Sequence, residues 1–327
     1  MSLSGRDAFW DAVRAVLMWL VVLGHTIQQL MSEDFFGHPL FKAIYLFHIP
    51  LFFFISGYFA FSSIKKHGVG GLKKTAVRLL APILTFGSLH ALFLVCKGVH
   101  LTLPSFLRCY VCLWFLWCLF ECQLCANFLI HVQKLAGRIS ILLLPFILCI
   151  LAPQYIPYAD YLGLAWPCFV AGLLARKAGF SSHHITTRWY WVAPVAFLCF
   201  FIFQDNWYVY TYPLSLSFNA IGVSLFRLLA AAAAGCIFLA LMHQGAAMLR
   251  LAKIGTATLG IYIVQCVVFK ITAHISLPAC FSQAWLMVLI SLPIFFASYY
   301  AYLITRKIPL VGIVMYGDAP QHQIIRK

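Results

Sequence analysis

Arg14 and His25 bracket a nearly unbroken apolar run near the start of the chain. An ionisable side chain in hydrocarbon is costly and marks a functional position by default. Eleven steps at about 100° make roughly three turns, so both side chains share one helix face. At about 1.5 Å per residue they lie roughly 16 Å apart along the axis. One face then carries a cation near one membrane surface and a base near the other. A guanidinium holds anions, and an imidazole accepts and returns protons. Taken singly, each residue also has a plainer role: Arg14 snorkelling to the headgroups, His25 hydrogen-bonded among helices. Their shared register favours function.

Other residues extend the pattern. Asp11 precedes Arg14 by three positions and is placed to pair with it on the same face. His48 opens the phrase His48-Ile-Pro-Leu-Phe-Phe-Phe-Ile-Ser56-Gly57-Tyr58. Pro50 frees a carbonyl there, and Ser56 and Gly57 admit a neighbouring helix or a ligand. A kinked helix packed through small residues explains the same phrase. The segment from Lys65 to Arg78 joins Lys65, Lys66, Lys73, Lys74 and Arg78 to Gly68, Gly70 and Gly71. It is expected to be a loop, suited either to a phosphate-bearing ligand or to anionic lipid. Glu121 follows Trp114-Phe-Leu-Trp117 in an apolar stretch, where a carboxylate needs a partner or a proton. Arg227 anchors an anionic or hydroxylated acceptor, or snorkels.

His25, His48 and His90 come out at similar depth, which raises the question of a metal. No carboxylate is expected at that level to support one, and no metal site is expected. The pairs Cys109/Cys112 and Cys122/Cys125 have CxxC spacing. On a continuous helix the thirteen steps from Cys109 to Cys122 span about 20 Å, too far for a shared ion. Small apolar residues between helices are the better account of the twelve cysteines.

The elements that must position these residues follow from composition. The chain has 327 residues, 63% hydrophobic and 9% charged, and its mean hydropathy is +0.93. That excludes an ordinary soluble domain and fits an all-α, multi-pass membrane protein. Ten apolar stretches can hold spans: about 12–31, 41–62, 77–97, 107–130, 139–153, 161–177, 189–204, 225–243, 254–273 and 284–304. With the N-terminus inside, eighteen of the 23 lysines and arginines fall on the inner side. Ten transmembrane helices with both termini cytoplasmic satisfy the positive-inside rule; a missed span would spoil the asymmetry. The net charge of +15 therefore orients the chain rather than binding nucleic acid. One membrane-embedded domain is expected over 1–327. The first run exceeds a signal peptide in length and carries the Arg14/His25 pair, so it is expected to be retained.

These residues resemble the integral-membrane acyltransferase family three, whose members O-acylate glycans and related envelope molecules. The likeness rests on Asp11-Ala-Val-Arg14, on ten residues separating Arg14 from His25, and on His48 with Phe-Phe-Phe-Ile-Ser56-Gly57-Tyr58. The basic segment ending Arg78-Leu-Leu-Ala-Pro82 sits where that family has its inner basic motif. The phrase Trp114-Phe-Leu-Trp117 resembles the sugar O-acetylase branch, fucose 4-O-acetylase-like members included. One departure is clear: Thr75 and Arg78 stand where many members have two arginines three apart.

The resemblance implies a bacterial inner-membrane O-acyltransferase that holds no resident cofactor. Its donor would be a cytoplasmic acyl-CoA, most simply acetyl-CoA, with phosphates near Arg14, Lys73, Lys74 and Arg78. A glycan or lipid-linked sugar would be the acceptor. His25 would act as general base or as a transient acyl carrier. Asp11, His48, Ser56, Glu121 and Arg227 would support the donor or the acceptor. Two rivals remain at this level: a secondary transporter using the same intramembrane charges, and a non-catalytic membrane protein that organises envelope lipids.

Overall fold

A computed structural model describes residues 8–31, 35–151, 155–192, 194, 218–244, 250–272 and 283–318. Among these residues the regular secondary structure is helical, with no strand. Hydrocarbon explains this, since a helix satisfies its own backbone within one segment. The α-helices are α1 (Ala8–Met31), α2 (Pro39–Cys96), α3 (Leu103–Cys109), α4 (Trp114–His131), α5 (Leu135–Leu151) and α6 (Ala159–Lys177). They continue as α7 (Phe218–Gln244), α8 (Ala252–Gly255), α9 (Thr258–Thr272), α10 (Ala284–Thr305) and α11 (Pro309–Tyr316). Five described helices are long and apolar enough to cross a membrane: α1, α2, α4, α10 and the Ile221–His243 part of α7. The shorter α5 and α9 are also apolar.

Two expectations are corrected. The basic segment after Lys65 is not a loop. It is helical within α2, which runs through both the second and third apolar stretches and leaves helical geometry at Gly68 (φ 52°, ψ −138°). Glycine takes that positive φ at little cost, while Gly70 and Gly71 stay helical. The fourth stretch, 107–130, is not one helix either. It divides into α3 and α4 at Tyr110–Leu113, where Leu113 adopts φ 53°. The distance reckoned along a continuous helix from Cys109 to Cys122 therefore does not apply. The seventh stretch, 189–204, lies mostly outside the described residues; its start belongs to a 3-10 helix, Thr187–Val192.

The chain forms two compact units. The first comprises Met1–Ile55 and Ala175–Leu303. Its centre is α1, with 67% of its most apolar window buried, against at most 44% in any other candidate span. Leu23 and Ile27 of α1 pack with Phe41, Ile44 and Tyr45 of α2 and Met287 of α10. Trp19 Nε1–H donates to Ser291 Oγ of α10 at 3.0 Å. Gln29 Nε2–H donates to the Thr272 carbonyl at the end of α9. Helices in lipid gain no hydrophobic energy from one another, so close packing through small residues holds them. Gly24 is one such point, since a Cβ there would lie 2.6 Å from the Tyr45 ring. Gly255 is another: its missing Cβ would overlap the Asp11 backbone carbonyl.

The second unit comprises Ser56–Leu174 and Ile304–Lys327. Here Gly57 of α2 lies directly against the Phe169 carbonyl of α6, where a Cβ would overlap the oxygen. Trp166 Nε1–H donates to the Leu142 carbonyl at 3.0 Å, tying α6 to α5. Helix α11 was not legible as a separate element in the sequence. It ends at Gly317 (φ 61°), whose absent Cβ would lie 2.5 Å from Arg78 Cα. Thr85 Oγ1–H donates to the Val314 carbonyl at 2.7 Å. The part of α2 from Arg78 to Thr85 is therefore braced by α11.

Candidate functional site around helix α1

The centre of the first unit carries four of the residues singled out from the sequence. Asp11 and Arg14 lie one turn apart at the start of α1. Arg14 Nη2 is 3.0 Å from Asp11 Oδ1. Asp11 is buried, while the Arg14 side chain keeps 23% exposure. The carboxylate thus orients a guanidinium that still reaches the surface of the unit. A charge-assisted contact of this kind fixes direction as well as charge.

His25 sits three turns further on and is half-buried. Its Nδ1 lies 2.8 Å from Gln28 Oε1 on the same helix. An amide oxygen only accepts, so Nδ1 carries the proton and Nε2 keeps its lone pair. In that tautomer Nε2 is the nitrogen able to accept a proton. The ring also lies 5.7 Å from the Phe269 ring of α9. Gln28 escaped the sequence reading, although a polar residue three positions beyond an intramembrane histidine shares its face.

His48 is fully buried on α2. Its Nδ1–H donates to the Ile44 carbonyl at 2.7 Å, leaving Nε2 as a bare acceptor without a hydrogen-bond partner among the described residues. The ring meets Tyr45 edge-on at 4.5 Å. Tyr45 in turn packs on Gly24, the residue before His25. Tyr45 thus links the His48 ring to the turn of α1 that carries His25.

Arg227 occupies α7 in the same unit and is 3% exposed. It lies one turn before Ala230, which packs on Leu46 of α2. Burial against protein excludes snorkelling to headgroups for this residue. The other candidates lie in the second unit. Ser56 is half-buried beside Gly57. Lys73, Lys74 and Arg78 are exposed on the far part of α2. Glu121 is half-buried on α4, and its Oε2 lacks a hydrogen-bond partner among the described residues. His90 is exposed. Among the described residues, no group of three or more His, Cys, Asp or Glu is placed to hold a metal ion.

The arrangement on α1 is an oriented cation at one end and a base of fixed tautomer near the other. It can hold an anionic group at a distance while removing a proton from a hydroxyl. Comparison with known proteins gives the chain a family. The profile of a family described as an acyltransferase domain matches residues 7–305. The chain is 32% identical over 313 residues to the nodulation protein NolL of Sinorhizobium fredii, covering 86% of this chain and 82% of that one. It is 26% identical over 308 residues to the nodulation protein NolL of Mesorhizobium japonicum, covering 86% and 80% respectively. No solved structure matches.

Proposed function

Because this chain belongs to that acyltransferase family, and is an acyltransferase with helices apolar enough for a membrane, we propose that it moves an acetyl group from cytoplasmic acetyl-CoA to a hydroxyl of an envelope glycan or lipid-linked sugar. The observation that carries this reading is the His25 imidazole, set by Gln28 with Nε2 as the base. It shares a helix face with the Asp11-oriented Arg14.

The protein lies in a bacterial inner membrane as ten spans, with both termini cytoplasmic. The CoA phosphates bind at the inner surface to Arg14. The roughly 16 Å rise from Arg14 to His25 is comparable to an extended pantetheine arm. The thioester then meets an acceptor hydroxyl at His25. Nε2 takes the hydroxyl proton, the oxygen attacks the thioester carbonyl, and the carbon–sulfur bond breaks. The leaving thiolate recovers a proton from the imidazolium, so an ester and free CoA are the products. His48 and Arg227, in the same unit as Arg14 and His25, shape the donor and acceptor binding surfaces.

The test measures ester-linked acetyl groups on envelope glycans, together with CoA release by isolated membranes supplied with acetyl-CoA. Cells making the protein are compared with cells lacking it. Ester and CoA release that depend on the protein support the reading. Solute movement in liposomes with no CoA released would sink it in favour of a transporter.

Gln28 supplies a finer check. Gln28→Leu removes the acceptor for Nδ1–H and frees the other tautomer. The expected result is a loss of about tenfold or more in kcat, with KM nearly unchanged. Gln28→Glu keeps an acceptor and should retain most activity. Equal losses in the two variants would count against a tautomer-setting role.

A further inference from the structure

Gln265 of α9 is 0% exposed, and neither its Oε1 nor its Nε2 has a hydrogen-bond partner among the described residues. Leaving both ends of a buried amide unpaired is expensive. Its place explains what would pair with it. Helices α8 and α9 run alongside α1 in the same direction. Gly255 lies at Asp11 at one end, and Thr272 accepts from Gln29 at the other. Gln265 and Phe269 are four positions apart, so they lie on one face of α9. Phe269 is the residue whose ring meets His25. Gln265 therefore sits one turn, about 6 Å, from the His25 level on the side toward Arg14.

We infer that Gln265 binds the acyl donor, its Oε1 accepting from the N–H of the secondary amide of the pantetheine arm nearest the thioester. This rests on the acyl-CoA reading above. That amide is trans, so its N–H and C=O point to opposite sides, and the N–H is the group turned to the carboxamide oxygen. The spacing agrees as well. That amide nitrogen is four bonds from the thioester carbonyl carbon, roughly 5 Å at ordinary bond lengths. A thioester held at His25 places the amide at Gln265. The residue thus grips the arm at the step before the reacting carbon, where a positioning error costs most.

The experiment uses the full chain in lipid nanodiscs with two donors. One is acetyl-CoA. The other is an analogue whose nearer pantetheine amide N–H is replaced by an ester oxygen, which cannot donate. Wild type should lose about tenfold or more in kcat/KM on the analogue. Gln265→Met should lose a similar factor on acetyl-CoA and show little further loss on the analogue. A wild type that uses both donors equally overturns the inference without reliance on any variant. A folded Gln265→Met that matches wild type on acetyl-CoA, or still rejects the analogue as strongly, also overturns it while leaving the donor assignment standing. A wild type that neither binds nor uses acetyl-CoA removes the donor assignment itself, and this inference with it.

Discussion

His25→Ala is expected to lower kcat for acetyl transfer by roughly 10²–10⁴-fold, the usual contribution of a positioned general base. Donor affinity should change little, because the phosphate-binding Arg14 lies about three turns away on α1. The expectation rests on the geometry of Nδ1. With its proton held by Gln28 at 2.8 Å, the ring presents Nε2 as the base, and no other described group on α1 supplies one at that depth. Alanine removes the base and leaves the helix interior apolar, so expression and thermal stability should be close to wild type. Measuring kcat and KM with acetyl-CoA at matched protein levels checks this. Near-normal kcat in the variant would remove His25 from the chemistry. A large rise in KM with kcat unchanged would instead make it a binding residue.

Gly255→Val is expected to prevent assembly of the first unit, giving little monodisperse protein after detergent extraction. The Cβ of any larger residue would fall on the backbone carbonyl of Asp11. A backbone atom cannot swing aside as a side chain can, so α8 must shift bodily away from α1. Overpacking a well-filled interior ordinarily costs about 1–3 kcal/mol, and in lipid close packing is a main source of attraction between helices. The shift would also disturb the Asp11–Arg14 pair, the Gln29–Thr272 bond and the Phe269 ring beside His25. Gly255→Ala should show the same defect in milder form, as a lowered unfolding midpoint with reduced kcat. A Gly255→Ala protein as stable and active as wild type would show that α8 does not dock as described.

Much of the site was legible in the sequence because its signals are local. The Arg14/His25 register needs only helix geometry, and the Asp11–Arg14 contact needs only one turn of it. Gln28 was also local, and was missed because an amide in a helix draws less notice than a charge. Gln265 was open to the same rule, a polar residue inside an apolar run, but its burial and its alignment with His25 depend on the docking of α9. Other errors were physical. Glycines near lysines suggested a loop at 65–74, yet only Gly68 leaves helical geometry and the helix continues on both sides. An even run of apolar residues suggested one helix over 107–130, and the break at Tyr110–Leu113 carries no glycine or proline to announce it. Snorkelling of Arg227 was open in the sequence and is closed by its burial.

The sequence by itself determined the membrane class, the helical architecture, the family likeness and the two residues at the heart of α1. Hydropathy, charge placement and helical period are properties of short windows, and hydrocarbon leaves the backbone few alternatives. The tertiary structure alone decided that α1 lies at the centre of its unit, that Gly255 abuts Asp11, that Phe269 meets His25, and that Gln265 is sealed on the same face. Each of those pairs joins residues more than 200 positions apart or depends on such a pairing. Their meeting is set by which small residues let helices approach and which side chains fill the gaps, and no single window of sequence holds that information.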